Sequence, residues 1–569
     1  MKKDNLDFTL LSLLKDYLKP LKLDNQILFD PYLEFPSQTD YGDISVSLAL
    51  KLSKILKKPP QMIADSMGAY LDKKIKDTIF KEYIANIQIA GGGFINFFLT
   101  DDYFRKVLRE ILILGDNFAR SNLGLKRKVL VEFVSANPTG PLSIAHARQA
   151  AVGGALCNIL ESLGFRPERE YYLNDEGRQI HLLGKSIEAR FRELQGGVGN
   201  FQEGGYEGEY IRDIAKKIYE QTAILRKVQD TSLNDAERSR SISDQQLAAF
   251  SDYGVKYILK IIKHELKEFG VKFDSWYSQK RLTRSGKIKK SLTWLRQKGF
   301  IYEKDGAVWF KSTAFGDDKD RVLIKNDNTY TYIASDIAYH KDKYQRGFNW
   351  LINLWGPDHH GYIGRLKAAI QSLGKDLDSL SIIIVQLATI FKNGKPLPMS
   401  TRKGQYITLR EILDEVGSDA SHFFFLMRRT SAHLDFDLEL AKKQTSDNPV
   451  YYVQYAHARI CSIMRNAQFK PKVSTVDLHL LKEPEELRLM KRLWQFPRIL
   501  EVCYRNLDPY FVTVYLQEVA EDLHKFYERH RVLTEDKNLT KARLALILAA
   551  RIVLNKGLKL IGVSSPESM

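Results

Sequence analysis

Residues 131–148 read Val131-Glu132-Phe133-Val134-Ser135-Ala136-Asn137-Pro138-Thr139-Gly140-Pro141-Leu142-Ser143-Ile144-Ala145-His146-Ala147-Arg148. The β-branched run over 128–134 predicts a strand. The Asn137-Pro138-Thr139-Gly140-Pro141 segment predicts a turn. Ala, Leu and Ile at three- to four-residue spacing over 144–163 predict a helix, with His146 in its first turn. A helix N-terminus carries unpaired N–H groups and partial positive charge, so it attracts phosphate. A histidine there can donate to a phosphate oxygen whose charge grows in the transition state. By itself such a histidine is more often a surface residue or a satisfied core residue, so its context decides. Neither G-x-x-x-x-G-K-[ST] nor a strand-linked G-x-G-x-x-G occurs, which argues against P-loop and dinucleotide readings.

Moving outward, the same strand–turn–helix unit recurs. Trp350–Trp355 is a buried-strand candidate, followed by Gly356-Pro357-Asp358-His359-His360 and a helix to about residue 373. Residues 380–387 give a third strand. Strands joined by helices predict a Rossmann-like α/β domain with a doubly wound parallel sheet. Ligands of such sheets sit at the carboxyl ends of the strands, where the loops 135–143 and 356–360 fall. Residues 185–310 are charged and helix-prone, and Gly196-Gly197-Val198-Gly199 interrupts them. They read as a long insertion between the two halves of the nucleotide fold.

Residues 1–120 predict a smaller α+β module. Helical periodicity over 45–56 stops at Lys57-Lys58-Pro59-Pro60, and Gly91-Gly92-Gly93 precedes an apolar strand at Phe94–Leu99. An appended binding domain and a structural cap fit it equally. From 447 to 569 the pattern is helical, an all-α bundle. Tyr451, Tyr455 and Arg459 belong to its interleaved aromatic and basic residues, which can stack unpaired bases and grip phosphates. On spacing alone, half-buried core tyrosines are the more common outcome. The expected domains are 1–120, 121–446 with the insertion, and 447–569.

Composition narrows the partners. The 569 residues hold 86 Lys and Arg against 69 Asp and Glu, a formal charge of +17, with a pI of about 9.3. That balance favours an anionic partner, nucleic acid first and a membrane surface second. Cys157, Cys461 and Cys503 are isolated, so neither a zinc knuckle nor a disulfide framework is indicated, and no structural metal is expected. A reducing compartment fits. Met1-Lys2-Lys3-Asp4-Asn5 lacks an apolar signal core, and no apolar run approaches the roughly 20 residues of a membrane span. A cytoplasmic protein without a membrane partner is expected.

Two further segments carry chemistry. In Leu397-Pro398-Met399-Ser400-Thr401-Arg402-Lys403-Gly404 a hydroxyl pair precedes two cations, a loop able to clamp polyphosphate; a solvated basic turn is the bland reading. In Tyr330-Thr331-Tyr332-Ile333-Ala334-Ser335-Asp336 a helix would put Tyr332 and Asp336 on one face. The bland reading makes Ser335 or Asp336 a helix N-cap.

Taken in order, these segments resemble the arginyl-tRNA synthetases, class I aminoacyl-tRNA synthetases. The resemblance covers nearly the whole chain. It is carried by the 136–142 turn leading into the family's His-aliphatic-Gly-His position, by Tyr171-Tyr172-Leu173-Asn174-Asp175 and Gly316-Asp317-Asp318-Lys319-Asp320-Arg321-Val322, and by 332–340, 355–362 and 399–404. Asp447-Asn448-Pro449-Val450-Tyr451-Tyr452-Val453-Gln454-Tyr455-Ala456-His457-Ala458-Arg459 and the closing 560–566 segment complete it.

The resemblance implies ATP, accompanied by Mg2+, and L-arginine giving arginyl-adenylate, followed by transfer to tRNA(Arg) on a monomeric enzyme, with activation needing bound tRNA. It implies an N-terminal domain touching the outer corner of tRNA and a C-terminal domain reading the anticodon. For ATP it implies His146 with Ser143, Ala145, Gly356, Asp358, His359, His360 and Met399. Ser400, Arg402 and Lys403 would close over pyrophosphate. For arginine it implies Ser135 and Asn137 near the α-amino end, and Glu132, Tyr332 and Asp336 around the guanidinium. The sequence departs at the first signature, which reads Ser143-Ile144-Ala145-His146, and at the second, where Pro398 and Thr401 stand for two lysines. A weakly active or inactive synthetase-like tRNA-binding protein is therefore the alternative.

Overall fold

The protein is described by a computed structural model covering residues 6–21, 32–36, 39–229, 244–397, 406–467 and 473–569. It forms two compact units. The first comprises Met1–Gly115, Met464–Trp494 and Asp522–Ile552; the second comprises Asp116–Ile463, Gln495–Glu521 and Val553–Met569.

The N-terminal part of the first unit runs α1 (Leu6–Leu18), β1 (Ile44–Val46), α2 (Leu48–Leu56), α3 (Pro60–Ile75), β2 (Ile84–Ala90), β3 (Phe94–Leu99) and α4 (Asp101–Leu114). The antiparallel order is β1-β3-β2. Helical spacing over 45–56 predicted one helix, yet 44–46 form a strand paired Ile44↔Phe97. Its buried Ser45 hydroxyl donates to Asn96 Oδ1 at 2.7 Å. Pairing to β3 outweighs the local pattern, as tertiary contacts commonly override propensity. Pro60 opens α3 at its first position, where a missing N–H costs nothing.

This module and the 464–494 helical segment share one core. Trp494 meets Phe104, Tyr103 and Phe35 edge-on at centroid distances of 5.4, 6.2 and 6.3 Å. Arg105 and Arg109 of α4 donate to the carbonyls of Leu481 and Val476, each at 3.0 Å. Periodicity gave no sign of this pairing, because it joins segments some 370 residues apart.

The second unit is built on β4 (Lys128–Glu132), α5 (Ile144–Ser162), β5 (Arg166–Leu173), α6 (Arg178–Leu194), α7 (Glu209–Gln229), α8 (Asp244–Glu268) and β6 (Ser275–Ser278). There follow α9 (Gln279–Arg284), α10 (Lys287–Gln297), a small antiparallel sheet of β7 (Ile301–Lys304), β8 (Ala307–Phe310) and β9 (Arg321–Ile324), then α11 (Tyr332–Gln345), β10 (Trp350–Trp355), α12 (Ile363–Ser372) and β11 (Leu380–Ile384). The main sheet runs β11-β10-β4-β5-β6, all parallel.

Chain order thus goes outward from β4 through β5 to β6, then returns to β10 on the other side. That reversal makes the crevice between the ends of β4 and β10 a topological switch point. Residues 275–278, inside the stretch read as an insertion, are the sheet's edge strand. Four residues reading Ser-Trp-Tyr-Ser hold no apolar run to announce a strand, and pairing to β5 with Trp276 stacked on Tyr171 at 4.5 Å places them.

The sheet core is apolar, with Val129, Leu130, Val131, Leu351 and Ile352 fully buried. Helix α5 lies close on β4: a Cβ at Gly153 would stand 2.4 Å from the Phe133 ring. Beyond β11, strands β12 (Ala388–Lys392), β13 (Lys395–Pro396) and β14 (Leu434–Asp437) form a third sheet with α13 (Leu409–Leu426) and α14 (Leu438–Lys442). The remaining helices are α15 (Pro449–Asn466), α16 (Pro484–Trp494), α17 (Phe496–Asn506), α18 (Tyr510–Arg529) and α19 (Lys537–Leu560).

Candidate active site

Strand β4 ends in strain. Val134 (φ 67°) and Ser135 (φ 41°) both take left-handed backbone, a conformation costing a non-glycine residue about 1–3 kcal/mol and concentrated at functional sites. Two contacts hold the turn: Ser135 Oγ accepts from Tyr172 N–H at 3.1 Å and donates to Glu132 Oε1 at 3.3 Å. The hydroxyl expected near the α-amino end is thus engaged within the turn.

The following residues line a cavity of about 790 Å³, together with Ser143, His146, Arg178, Gln179, Tyr206, Tyr210 and Tyr406. Asn137 Nδ2 donates to Gln179 Oε1 at 2.5 Å. Tyr210 and Tyr406 donate to the carbonyls of Thr139 and Pro141 at 2.8 and 3.0 Å. A Cβ at Gly140 would sit 3.0 and 3.2 Å from those two hydroxyls, so this turn admits no side chain without moving a latch.

Ser143 is the N-cap of α5 and forms a reciprocal capping box with His146. Its N–H donates to His146 Nδ1 at 3.2 Å, and its hydroxyl lies 2.9 Å from the same nitrogen. With Nδ1 accepting, the neutral imidazole carries its proton on Nε2. Burial lowers the His146 pKa to about 4, with Asp358 opposing weakly. The ring is therefore a neutral hydrogen-bond donor at neutral pH, at a helix start that itself favours anions. Leu142 and Ile144 also pair with the segment after residue 405: Leu409 N–H donates to Leu142 O at 2.7 Å and Ile144 N–H to Ile407 O at 3.2 Å.

Two residues further on, Arg148 is wholly buried, and among the described residues no carboxylate pairs with its head, though Asp508 lies close enough to act on it. It donates instead to the carbonyls of Gln386, Ala432 and Arg429 at 2.7, 3.0 and 3.0 Å. This five-donor fork fixes α5 against the loops flanking β12 and β14, a role that lysine's point charge could not reproduce.

Across the switch point, Gly356 precedes a short 3₁₀ turn, Pro357–Tyr362. The place a Cβ would take at Gly356 is 2.6 Å from Asp358 Oδ1 and 3.8 Å from Gln149 Nε2. That closeness, with the field of Asp358 at His146, brings the two loops together. Asp358 and His359 are exposed and paired at 3.4 Å, and His360 is exposed.

Helix α11 supplies the other side. Thr331 is its N-cap, so neither Ser335 nor Asp336 caps it, and Tyr332 and Asp336 do lie four apart on a helix. Tyr332, at the first position, is 69 % exposed. Asp336 accepts from the Tyr362 hydroxyl. Burial pushes its carboxyl up to about 6, opposed by that hydrogen bond and aided by Glu132. Among the described residues no cation stands within salt-bridge distance of it. Glu132, by contrast, is already paired, accepting from Lys343 Nζ at 2.5 Å. Lys343 went unnoticed in the sequence; its signal was its place seven residues, two helical turns, beyond Asp336.

Met399, Ser400, Arg402 and Lys403 lie outside the described residues. In α15, Tyr451 and Tyr455 stack with centroids 6.2 Å apart and planes at 8°. Tyr455 is 40 % exposed, and Arg459, one turn on, is exposed as well.

The helix start at His146 and the carboxylates Glu132 and Asp336 thus stand at the carboxyl ends of β4 and β10 in a doubly wound parallel sheet. Residues 108–434 match the family described as tRNA synthetases class I (R), catalytic domain. Residues 9–99 match the arginyl tRNA synthetase N terminal domain, and residues 453–569 the DALR anticodon binding domain. Similar proteins include the arginine–tRNA ligase of Geobacillus kaustophilus, 48 % identical over 544 residues, 95 % of this chain and 94 % of that one. That of Bacillus subtilis is 45 % identical over 541 residues, 94 % of each chain. The Thermus thermophilus arginyl-tRNA synthetase structure shares the fold, with TM-score 0.75 at 22 % identity, over 99 % of this chain and 100 % of that chain. The chain belongs to the arginyl-tRNA synthetases, class I ligases that join arginine to tRNA using ATP. The alternative of a non-catalytic tRNA binder finds no support in these likenesses.

Proposed function

We propose that the crevice between β4 and β10 binds ATP and arginine side by side and carries both steps of arginylation. The observation that carries this reading is Asp336, a sheltered carboxylate with one neutral donor, Tyr362, standing beside Glu132 at the end of β4, the strand whose following turn leads to the helix start at His146. A guanidinium is the cation that matches it, because a planar fork can give two parallel hydrogen bonds to one carboxylate. A lysine substrate would leave one of those bonds unmade in a desolvated site, which discriminates strongly.

In the first step the arginine carboxylate attacks the α-phosphorus of ATP, and pyrophosphate leaves. His146 Nε2–H and the first N–H groups of α5 donate to phosphate oxygens as charge gathers on them. Ser143 holds the imidazole so that this nitrogen faces outward. Gly356 and Asp358, with His359 and His360, hold the adenosine, against which the Ala145 methyl packs. Ser400, Arg402 and Lys403 would close over the leaving pyrophosphate, and Met399 would lie against ATP. ATP enters as its magnesium complex, the ion held by phosphate oxygens. In the second step a terminal ribose hydroxyl of tRNA attacks the acyl carbon, and AMP departs.

Asn137 and Ser135 line the α-amino end, and Tyr332 covers the guanidinium side. Residues 1–120 contact the tRNA corner, 121–446 catalyse, and 447–569 read the anticodon through Tyr451, Tyr455 and Arg459. The substrates and the absence, among the described residues, of a helix long and apolar enough to cross a membrane support a cytoplasmic site of action.

The test is direct charging of arginine-accepting tRNA with purified protein, ATP, magnesium and labelled arginine. Charging well above a heat-killed control is expected. Tight tRNA binding with no charging would overturn the reading.

A further inference from the structure

Helix α11 lays Asp336, Tyr339, His340 and Lys343, and its C-cap Arg346, over the sheet, and beneath it two carboxylates rise from adjacent strands in register, Glu132 on β4 and Glu170 on β5. Glu170 is fully satisfied: Arg346 grips it with two bonds of 2.6 and 2.9 Å, and Tyr339 donates at 2.6 Å. Glu132 is matched by Lys343, whose ammonium is wholly buried, 2.5 Å from Glu132 Oε2 and 3.3 Å from Asn353 Oδ1, and 4.2 Å from the Tyr339 ring centroid. His340 closes the layer, its Nε2 3.1 Å from Asn353 Nδ2 and its Nδ1 2.8 Å from Asp336 O. Of the three carboxylates, Asp336 alone has no cation within salt-bridge distance among the described residues, and only the field of Lys343, bound to Glu132, reaches it.

Two uncompensated carboxylates side by side in a sheltered pocket would call for two positive charges, since like charges in low dielectric repel strongly. We propose that Lys343 is a specificity-setting positioning residue: by holding Glu132 it leaves Asp336 as the one open charge, matched to a singly charged guanidinium. The pairing does two things at once. It withdraws Glu132 from the substrate, and it keeps the buried ammonium bonded to Glu132 rather than to Asp336, where it would compete with the substrate. A purely structural ion pair would add stability and leave substrate charge selection untouched. This inference rests on the assignment of Asp336 to the arginine pocket.

The experiment is a mutant cycle read as arginine KM, with ATP KM as the internal control. Glu132→Gln frees the Lys343 ammonium to compete for Asp336, and arginine KM rises at least 50-fold with ATP KM within threefold. Adding Lys343→Met removes the competitor, and the double variant returns to within about fivefold of the parent. If the double variant stays as impaired as Glu132→Gln, the proposal is overturned.

Lys343→Met alone supplies a second reading should Glu132→Gln not fold. It leaves two carboxylates in the pocket, so competitive inhibition by the dication 1,4-diaminobutane strengthens at least tenfold, while Lys343→Arg stays near the parent. Unchanged inhibition overturns the proposal. Asp336→Asn separates the two claims. No change in its arginine KM removes the pocket assignment itself, whereas a large rise together with a failed Lys343→Met rescue removes only the role of Lys343.

Discussion

Replacing Asp336 by asparagine tests the heart of the proposed arginine pocket. Burial holds this carboxyl at about 6 where an aspartate ordinarily sits at 3.8. The gap measures how far the folded protein falls short of solvating the charge. A guanidinium that restores an ordinary carboxylate closes it, at 1.36 kcal/mol per tenfold, which corresponds to about 3 kcal/mol. Asparagine keeps the shape and an acceptor for Tyr362 but forfeits that term. Arginine KM is therefore expected to rise on the order of 10²-fold, measured by aminoacylation at saturating ATP and tRNA, with ATP KM little changed.

The same residue sets a pH dependence. The guanidinium pairs with the ionised carboxylate, so a proton competes with arginine below about pH 6. Arginine KM should be flat above pH 7 and climb toward tenfold per pH unit below 6 in the parent, and the climb should vanish in Asp336→Asn. An arginine KM within twofold of the parent across that range would refute the reasoning.

Four further outcomes follow from the geometry. His146→Ala should lower the rate of activation about 10²–10³-fold, the usual loss for one transition-state donor; because burial holds its imidazole near 4, the parent's rate–pH profile between pH 5 and 8 should be unchanged in shape by this substitution. Ser143→His with Ala145→Gly restores the family's first signature and should raise arginylation; an unchanged or lower rate would show that the pocket has adapted to the serine. Gly153→Ala drives a methyl into the Phe133 ring and should destabilise the sheet unit by roughly 1–3 kcal/mol, read as an earlier thermal transition. Tyr455→Ala should raise tRNA KM by about 5- to 150-fold, the range of one base–aromatic stack, and leave arginine KM alone; an unaffected tRNA KM would remove that face from the interface.

Much of the architecture was legible because it is locally encoded. Helix α5 begins where the Asn-Pro-Thr-Gly-Pro turn ends, since Ser143 caps it and no proline follows. The strands Trp350–Trp355 and Phe94–Leu99 are mostly apolar runs, each interrupted by one asparagine and abutting a glycine at one end, which leaves few alternatives. The departures Ser143 and Ala145 were visible as letters. Their consequence was not: only the folded turn shows the serine cap holding His146 with its Nε2 proton free.

What the tertiary structure decided were pairings between distant segments. The strand β6 exists because β5 offers it a ladder, and β1 because β3 does, and periodicity carries no such information. Glu132 looked like a free partner for a guanidinium, yet the sequence does not record that Lys343 would be brought under it across 211 positions. Asp336 has no ion-pair partner among the described residues, because the nearby Lys343 is bonded to Glu132. Local chemistry, read from the chain, determined the class of site. Long-range packing determined which of the two carboxylates, Glu132 or Asp336, is already neutralised by a lysine.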